Sequence, residues 1–410
     1  MADNTTGKTA VSRPKIKDIK LSSILEVTKA INNNFSTEKL LEIFENVLKE
    51  QLNIGKLILF SYDSGWKCLL KYGVEDEMAS IDVAKEFGQI KEISTIDYTS
   101  NAAHHTFEIV VPVYHKSSPL AYVLIGDLNE DKLEVSAAIK HLPFVQTLAN
   151  IIVVAIENKK LAKENIRQAA MRKELELASE MQSMLFPSSL PDNGRLQINA
   201  YYLPHQQVGG DYYDFIQLDE NEVAFCMADV SGKGVPAALL MSNFQANLRI
   251  LLNHMTSLTD LVKELNTKVM QNAKGEKFIT LFIARYNIVT KILTYINAGH
   301  NPPLLATENS VTMLRVGCTG IGMFDELNKV KEGVVSIDPG SVILCYTDGV
   351  VEIENEKEEE FGVARLKDTL RANFSSDMES LNNKIISDVI QYKGNMPYID
   401  DIALFSCRIF

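Results

Sequence analysis

The sequence contains no Cys-x-x-Cys pair; its five cysteines, Cys68, Cys226, Cys318, Cys345 and Cys407, stand apart from one another. That spacing excludes a thiolate zinc site of the usual kind and a redox dithiol. Scattered thiols, most of them in apolar stretches, read as small core residues of a reducing compartment. There is no basic excess either. Lys and Arg number 41 against 53 Asp and Glu, a net charge of -12, which argues against the cationic footprint of nucleic-acid binding. Long apolar runs are missing: Ile151–Ile156 is six residues, where a membrane span needs about 20. Met1–Lys20 has no apolar leader segment, so the expectation is a cytoplasmic protein with no membrane contact. A Cys-x5-Arg loop and a G-x-S-x-G elbow are both absent, which removes two common covalent nucleophiles.

With 410 residues, 46% of them hydrophobic and 23% charged, the chain has room for two or three globular domains. Residues 1–20 are polar and read as a flexible tail. Leu25, Val27, Ile31 and Phe35, then Leu40, Leu41, Ile43, Phe44, Val47 and Leu48, recur at helical spacing. Ser36 three residues ahead of Lys39 is a partial helix-start signal. The texture then changes to strands, at 56–62 and 66–72 around Asp63-Ser64-Gly65, and at 107–113 and 120–126 around His115–Pro119. A long helical stretch begins near Leu133 and runs past Asn158. The order describes an α+β domain over 21–158. His104, His105 and His115 read as solvated loop histidines, because their spacing fits no familiar metal site. Residues 155–186 hold no Gly or Pro. Leu161, Ile166, Ala170, Leu177, Met181 and Met184 fall near a heptad spacing interrupted at Glu174, which predicts a helical, coiled-coil-like linker over 159–190 that pairs two copies of the chain.

Within 191–410 the informative residues are acidic. Asp211 follows Gly209-Gly210. Asp229 and Asp348 end apolar strands, and Asp400-Asp401 opens the last one. Strand ends are rigid places from which to aim a side chain, and hard divalent cations take oxygen ligands. Converging aspartates repel one another unless cations relieve them. Two ions about 3.5–4 Å apart would do so while activating a water for attack on a phosphoryl group. Pro236 marks a helix start with Ala237–Met241 as core, and Glu352–Glu360 reads as a solvated loop.

In chain order, GGDYYDF, DVSGKGVPAALLMS, NAGHNPPLL, YTDGVVE and DDIALF resemble the metal-dependent PPM (protein phosphatase 2C-like) family, in particular its bacterial SpoIIE- and RsbU-like branch. The likeness extends upstream into ELELASEMQSMLFPSSLP. It implies a β-sandwich flanked by helices and a protein-serine/threonine phosphatase activity carried by a metal-bridged water. It also implies two Mn²⁺ or Mg²⁺ ions on Asp211, Asp229 (the bridge), the Val230 carbonyl, Asp348 and Asp400, with Asp401 as the other candidate for the last position. Asp211 and Asp229 are the residues expected to be catalytic. By the same likeness the substrate is a phosphorylated anti-sigma-factor antagonist of the STAS type. Ser231 stands where animal members carry a histidine, and Lys233 is a candidate stand-in for their phosphate-binding arginine. The entry segment LEVTKAINNNFSTEKLLEIFENVLKE and the order of elements over 21–158 resemble a GAF sensor domain, which implies a regulatory ligand or activator. The competing expectation is a phosphatase-like signalling scaffold without turnover.

Overall fold

The computed structural model describes residues 16–96, 106–115, 118–126 and 141–410. The expected tail up to residue 15, His104, His105 and the stretch from Leu133 to Lys140 lie outside the described residues. The chain divides into two compact units, Met1–Ala169 and Ala170–Phe410.

In the first unit, α1 (Ile16–Asn32) and α2 (Thr37–Asn46) precede the strands β1 (Lys56–Tyr62) and β2 (Trp66–Tyr72). A short α3 (Val83–Phe87), β3 (Ser94–Thr95), β4 (Ile109–His115) and β5 (Ser118–Gly126) follow. Helix α1 starts ahead of the expected boundary at Leu21. Ser36 caps α2 by accepting the Lys39 N–H, so the partial signal is a working cap. The antiparallel sheet runs β2-β1-β5-β4-β3. Strand β1 is apolar at successive positions because both of its faces are covered. Leu57 and Leu59 join one core with Ala121, Val123 and Ile125 of β5, and with helical Phe44, Leu48, Leu148 and Ile152. Ile58 and Phe60 join another with Tyr122, Leu124, Phe87 and Phe107.

The helix α4 runs unbroken from Leu142 to Ser183. Of the stretch 159–190, the residues up to Ser183 continue this helix and those from Met184 lie beyond it. Phe144, Val145, Leu148, Ala149, Ile152 and Val153 are buried in the first unit's core. Beyond Ala155 the sequence turns polar and the helix emerges into solvent. Ile166, Met171 and Met181 are more than 60% exposed.

The second unit is a sandwich of two sheets. One sheet contains β7 (Tyr212–Gln217), β8 (Glu222–Val230), β9 (Ile279–Asn287), β10 (Ile292–Ala298), β13 (Gly317–Cys318) and β14 (Gly333–Ser336). The other contains β6 (Leu196–Leu203), β11 (Leu304–Ala306), β12 (Val311–Met313), β15 (Val342–Tyr346) and β16 (Ile402–Ile409). Pairing is antiparallel except for the short β10–β13 contact, which is parallel. Alternation along the strands builds the layers. Phe225 and Met227 face inward against Phe405, Cys345 and Ile343 between the sheets. Ala224, Cys226 and Ala228 face outward against α5 (Val235–His254) and α6 (Leu258–Ala273). On the opposite side, Leu344, Tyr346, Ile402 and Leu404 carry α7 (Asp348–Val351), α8 (Gly362–Ala372) and α9 (Met378–Lys393). The order is helix, sheet, sheet, helix, as expected for 191–410. Helix α5 differs from expectation at one position: Ala237, Leu240 and Met241 are buried, but Leu239 is 67% exposed. Residues Asn355–Glu360 form a hydrogen-bonded solvent-side turn closed by a Glu354–Glu360 bridge.

Candidate metal centre

The two sheets deliver their acidic residues to a shared end. Asp211 lies immediately before β7, and Asp229 is the penultimate residue of β8, opposite Thr280. These neighbouring strands are antiparallel, so the start of one meets the finish of the other. Asp348 is the first residue of α7, just past the end of β15, and Asp400 lies two residues before β16. Strands β15 and β16 are antiparallel as well. One sheet therefore contributes Asp211 and Asp229, and the other contributes Asp348 and Asp400.

Electrostatics ties the group together. Asp211 is only 2% exposed, and its carboxyl pKa is held well above the ordinary range by burial, then by the charges of Asp229 and Asp401. Burial, then Asp348 and Asp400, push Asp229 up to about 7. Burial and Asp400 likewise raise Asp348. Carboxylates placed this way favour either a proton or a cation. Asp211 Oδ2 is buried and has no hydrogen-bond partner, so one oxygen ligand is available at the most enclosed point. The donor set, oxygen only and poor in internal cations, fits hard divalent ions better than zinc. The side chains are not gathered as a closed cage: among the described residues, no three His, Cys, Asp or Glu side chains stand close enough together to chelate one ion. Val230, the other expected donor, is a buried residue at the end of β8, and its carbonyl lies against Gly210.

Asp401 is used differently from its neighbour. Its Oδ1 accepts the His205 N–H at 2.7 Å, and its Oδ2 accepts the N–H groups of Gly210 at 2.7 Å and Asp211 at 3.4 Å. It pins the loop that carries Asp211. Asp400 is partly exposed and turns its Oδ2 toward Lys233. Two glycines at this end of the sandwich are required by close approach. A Cβ on Gly209 would lie 2.1 Å from the Tyr202 hydroxyl, and one on Gly349 would lie 2.0 Å from the Asp401 carbonyl.

Several supporting residues were invisible as such in the sequence. Gln182, near the end of α4, is 7% exposed; its amide donates to the Gly209 carbonyl at 2.8 Å and accepts the Gly209 N–H at 3.1 Å. Asp214, fully buried, accepts two hydrogen bonds from Arg249 on α5 and one from the Tyr212 hydroxyl. The Ser231 hydroxyl accepts the Phe278 N–H at 2.9 Å, which ties the β8 exit to β9. His300 is buried, its Nδ1 lies 2.9 Å from the Thr280 hydroxyl, and its N–H is capped by Asn297. Burial lowers its pKa to about 4, so it is a neutral turn histidine of the sandwich. The described histidine His115 closes β4 and is exposed.

Comparison with known proteins places this geometry. Residues 219–410 match the family model described as Stage II sporulation protein E (SpoIIE). The chain is 31% identical to Protein IcfG of Synechocystis sp. over 332 residues, covering 74% of this chain and 51% of that protein. It is 32% identical to Phosphoserine phosphatase RsbU of Bacillus subtilis over 191 residues, covering 46% of this chain and 56% of that protein. The chain thus spans about half the length of the curated relatives it matches. Among solved structures, the SiaA-PP2C domain of Pseudomonas aeruginosa superimposes with a TM-score of 0.54 at 20% identity, covering 60% of this chain and 99% of that one. That likeness shows the fold: the second unit shares the sandwich fold of that domain.

Proposed function

We propose that this chain, whose C-terminal unit belongs to the SpoIIE-type PP2C family, is a metal-dependent protein-serine/threonine phosphatase regulated through its N-terminal unit. The observation that carries this is the set of four aspartates brought from two sheets to one end of the sandwich, with three of their pKa values raised by burial and by one another. Asp211, Asp229, Asp348 and Asp400 would hold two divalent cations, Mn²⁺ or Mg²⁺, with the Val230 carbonyl as a further donor. When bound, such cations supply Lewis-acid activation of water and neutralise charge on the phosphoryl group. The chain itself supplies position. Asp229 is fixed by the β8–β9 ladder, and Asp348 by the buried Thr347 that precedes it at the end of β15. Asp401 and Gln182 both hold the Gly209–Asp211 loop, Asp401 through the Gly210 N–H and Gln182 through both backbone groups of Gly209. Asp401 thereby falls outside the ligand set in this reading, and Asp400 takes the last position.

The name of the relative RsbU supports phosphoserine as the hydrolysed group. The substrate is then a phosphoserine-bearing regulatory protein of STAS type, in the cytoplasm. The first unit's sheet order, with helices α1, α2 and α4 on one face, supports a GAF-like sensor whose ligand or activator acts through α4. That helix ends one residue beyond Gln182, which clamps Gly209, so a change in its pairing would reach the loop that bears Asp211.

The test is phosphate release from a phosphoserine protein, with and without Mn²⁺, beside calorimetric metal titration. Wild-type protein should bind divalent ions and turn over only with them. Asp229→Asn and Asp348→Asn should each lower turnover by at least about 10²-fold, the scale of losing one electrostatic stabiliser. Metal binding without turnover on any phosphoprotein would leave a signalling scaffold, and no metal binding would remove the reading altogether. No helix among the described residues is long and apolar enough to cross a membrane.

A further inference from the structure

Lys233 lies in the turn between β8 and α5, between Gly232 at φ 88° and Gly234 at φ 71°. Both glycines have the positive φ that side-chain-bearing residues avoid, so the turn around Lys233 takes a path that glycine permits. Its ammonium reaches Asp400 Oδ2 at 2.8 Å and donates to the carbonyl of Ile399. A lysine that merely extends into solvent would not engage a carboxylate and the adjacent backbone carbonyl together. The other Asp400 oxygen, Oδ1, accepts the Asp401 N–H at 2.9 Å. Asp400 therefore has both oxygens engaged, one by a fixed backbone group and one by a mobile cation on a four-carbon stem. The charge of Lys233 also falls on Asp348. The nearby Lys277 is committed elsewhere, donating to the Ser231 carbonyl at 2.8 Å.

We infer that Lys233 is a tethered counter-ion of the metal centre, which holds Asp400 in the metal-free protein and is displaced from it when a divalent cation binds. The inference rests on the metal-dependent reading above. Nothing covalent changes. The ammonium gives up one carboxylate oxygen, and the arriving cation takes it. Until then the lysine offsets part of the repulsion among the aspartates, and it keeps Asp400 turned from the remaining ligands. Metal affinity is thereby set lower than the four carboxylates alone would make it.

Competition of this kind has a definite signature. The pair is partly exposed, with the lysine side chain 44% and the carboxylate 35% accessible, so its removal should change affinity by no more than about fivefold. Calorimetric titration of full-length Lys233→Met with Mn²⁺ should show binding about two- to fivefold tighter than wild type. The same substitution should lower the melting temperature of the metal-free protein and leave that of the metal-saturated protein unchanged. Lys277→Met removes an equal charge nearby without touching Asp400 and should leave the Mn²⁺ affinity within experimental error. In an Asp400→Asn background, Lys233→Met should have no effect on Mn²⁺ affinity. Unchanged or weaker binding by Lys233→Met, an equal gain from Lys277→Met, or persistence of the gain without Asp400 would each overturn the inference while the metal centre stands. A wild-type protein that binds no Mn²⁺ would overturn both.

Discussion

Asp400 and Asp401 carry the same functional group one residue apart, and their surroundings separate their roles. Successive side chains entering a strand point to opposite sides, so only one of the two can face the loop that carries Asp211. Asp401 does so, is 7% exposed and accepts three backbone N–H groups. Replacing it by Asn would set an NH₂ against the N–H groups of Gly210 and Asp211 or against that of His205. Leaving buried donors unpaired costs about 1–3 kcal/mol. Asp401→Asn should therefore destabilise the metal-free protein by roughly that amount in urea unfolding. Asp400→Asn, whose partner is a partly exposed lysine, should change stability by less than about 1 kcal/mol while weakening divalent binding. Equal stability losses in the two variants would contradict this division. The acidic positions were legible because Asp211 follows a glycine pair, Asp229 and Asp348 end apolar strands and Asp400-Asp401 opens one, a pattern that strand-end geometry makes meaningful. The choice between adjacent aspartates was not legible, since it depends on which backbone groups come near from residues about 190 positions away. Ser231 and His300 show the same limit. Both lie in motifs, and both are consumed by local hydrogen bonds that tie β9 to its neighbours.

At the level of elements, the strands and helices of 191–410 could be read from period and punctuation, because alternation along β8 and β9 reflects two differently covered faces. The cross-links between elements could not. The second aspartate of GGDYYDF is the main example: Asp214 sits on β7, and the Arg249 guanidinium that pairs with it comes from α5 at 2.7 and 2.9 Å. That pair fastens the outer helix to the strand that begins at the metal-ligand loop. Arg249→Leu would strand a fully buried carboxylate with only the Tyr212 hydroxyl and the Phe215 N–H as partners. Breaking a fully buried pair costs about 3–5 kcal/mol. The Arg249 side chain is 42% exposed, so the loss should be smaller, about 2–3 kcal/mol by chemical denaturation. An Asp214→Asn, Arg249→Leu double variant should recover part of it. No recovery would mean that the stem of Arg249, and not its charge, supplies the stability. Helix α4 runs through the division between 21–158 and 159–190. The change near Ala155 from apolar to polar residues looked like a boundary between a domain helix and a linker. The backbone continues without a break, and what changes there is burial, because the helix leaves one core and enters solvent.

For the whole molecule, that solvent-exposed stretch is where the proposal that the first unit regulates the second can be tested. Leu161, Ile166, Met171, Leu177 and Met181 are 53%, 72%, 62%, 49% and 71% exposed along α4, a series of apolar side chains only partly covered by their own chain. A helix with few tertiary contacts gains little from propensity alone, and each such partly exposed residue forgoes about half to two thirds of the roughly 1.5–3 kcal/mol that full burial would give. Of these, Ile166, Leu177 and Met181 share one face of the helix, and a second copy of the chain presenting the same face would cover them, which is the logic of a coiled-coil seam. The irregular spacing around Glu174 makes a weakly paired seam the expectation, and a weakly paired seam can be tightened or loosened by events in the N-terminal unit. Full-length protein should sediment as a concentration-dependent dimer in the micromolar range. Ile166→Glu combined with Leu177→Glu should shift it to monomer with unchanged helical circular dichroism, because the substitutions lie on an exposed face and Glu is a good helix former. If the seam also transmits the signal, the monomeric variant should lose turnover while keeping its Mn²⁺ affinity within about twofold, since the aspartates themselves remain in place. Wild-type protein that stays monomeric at tens of micromolar would rule out pairing through α4 as the route from the N-terminal unit to Gln182 and Gly209.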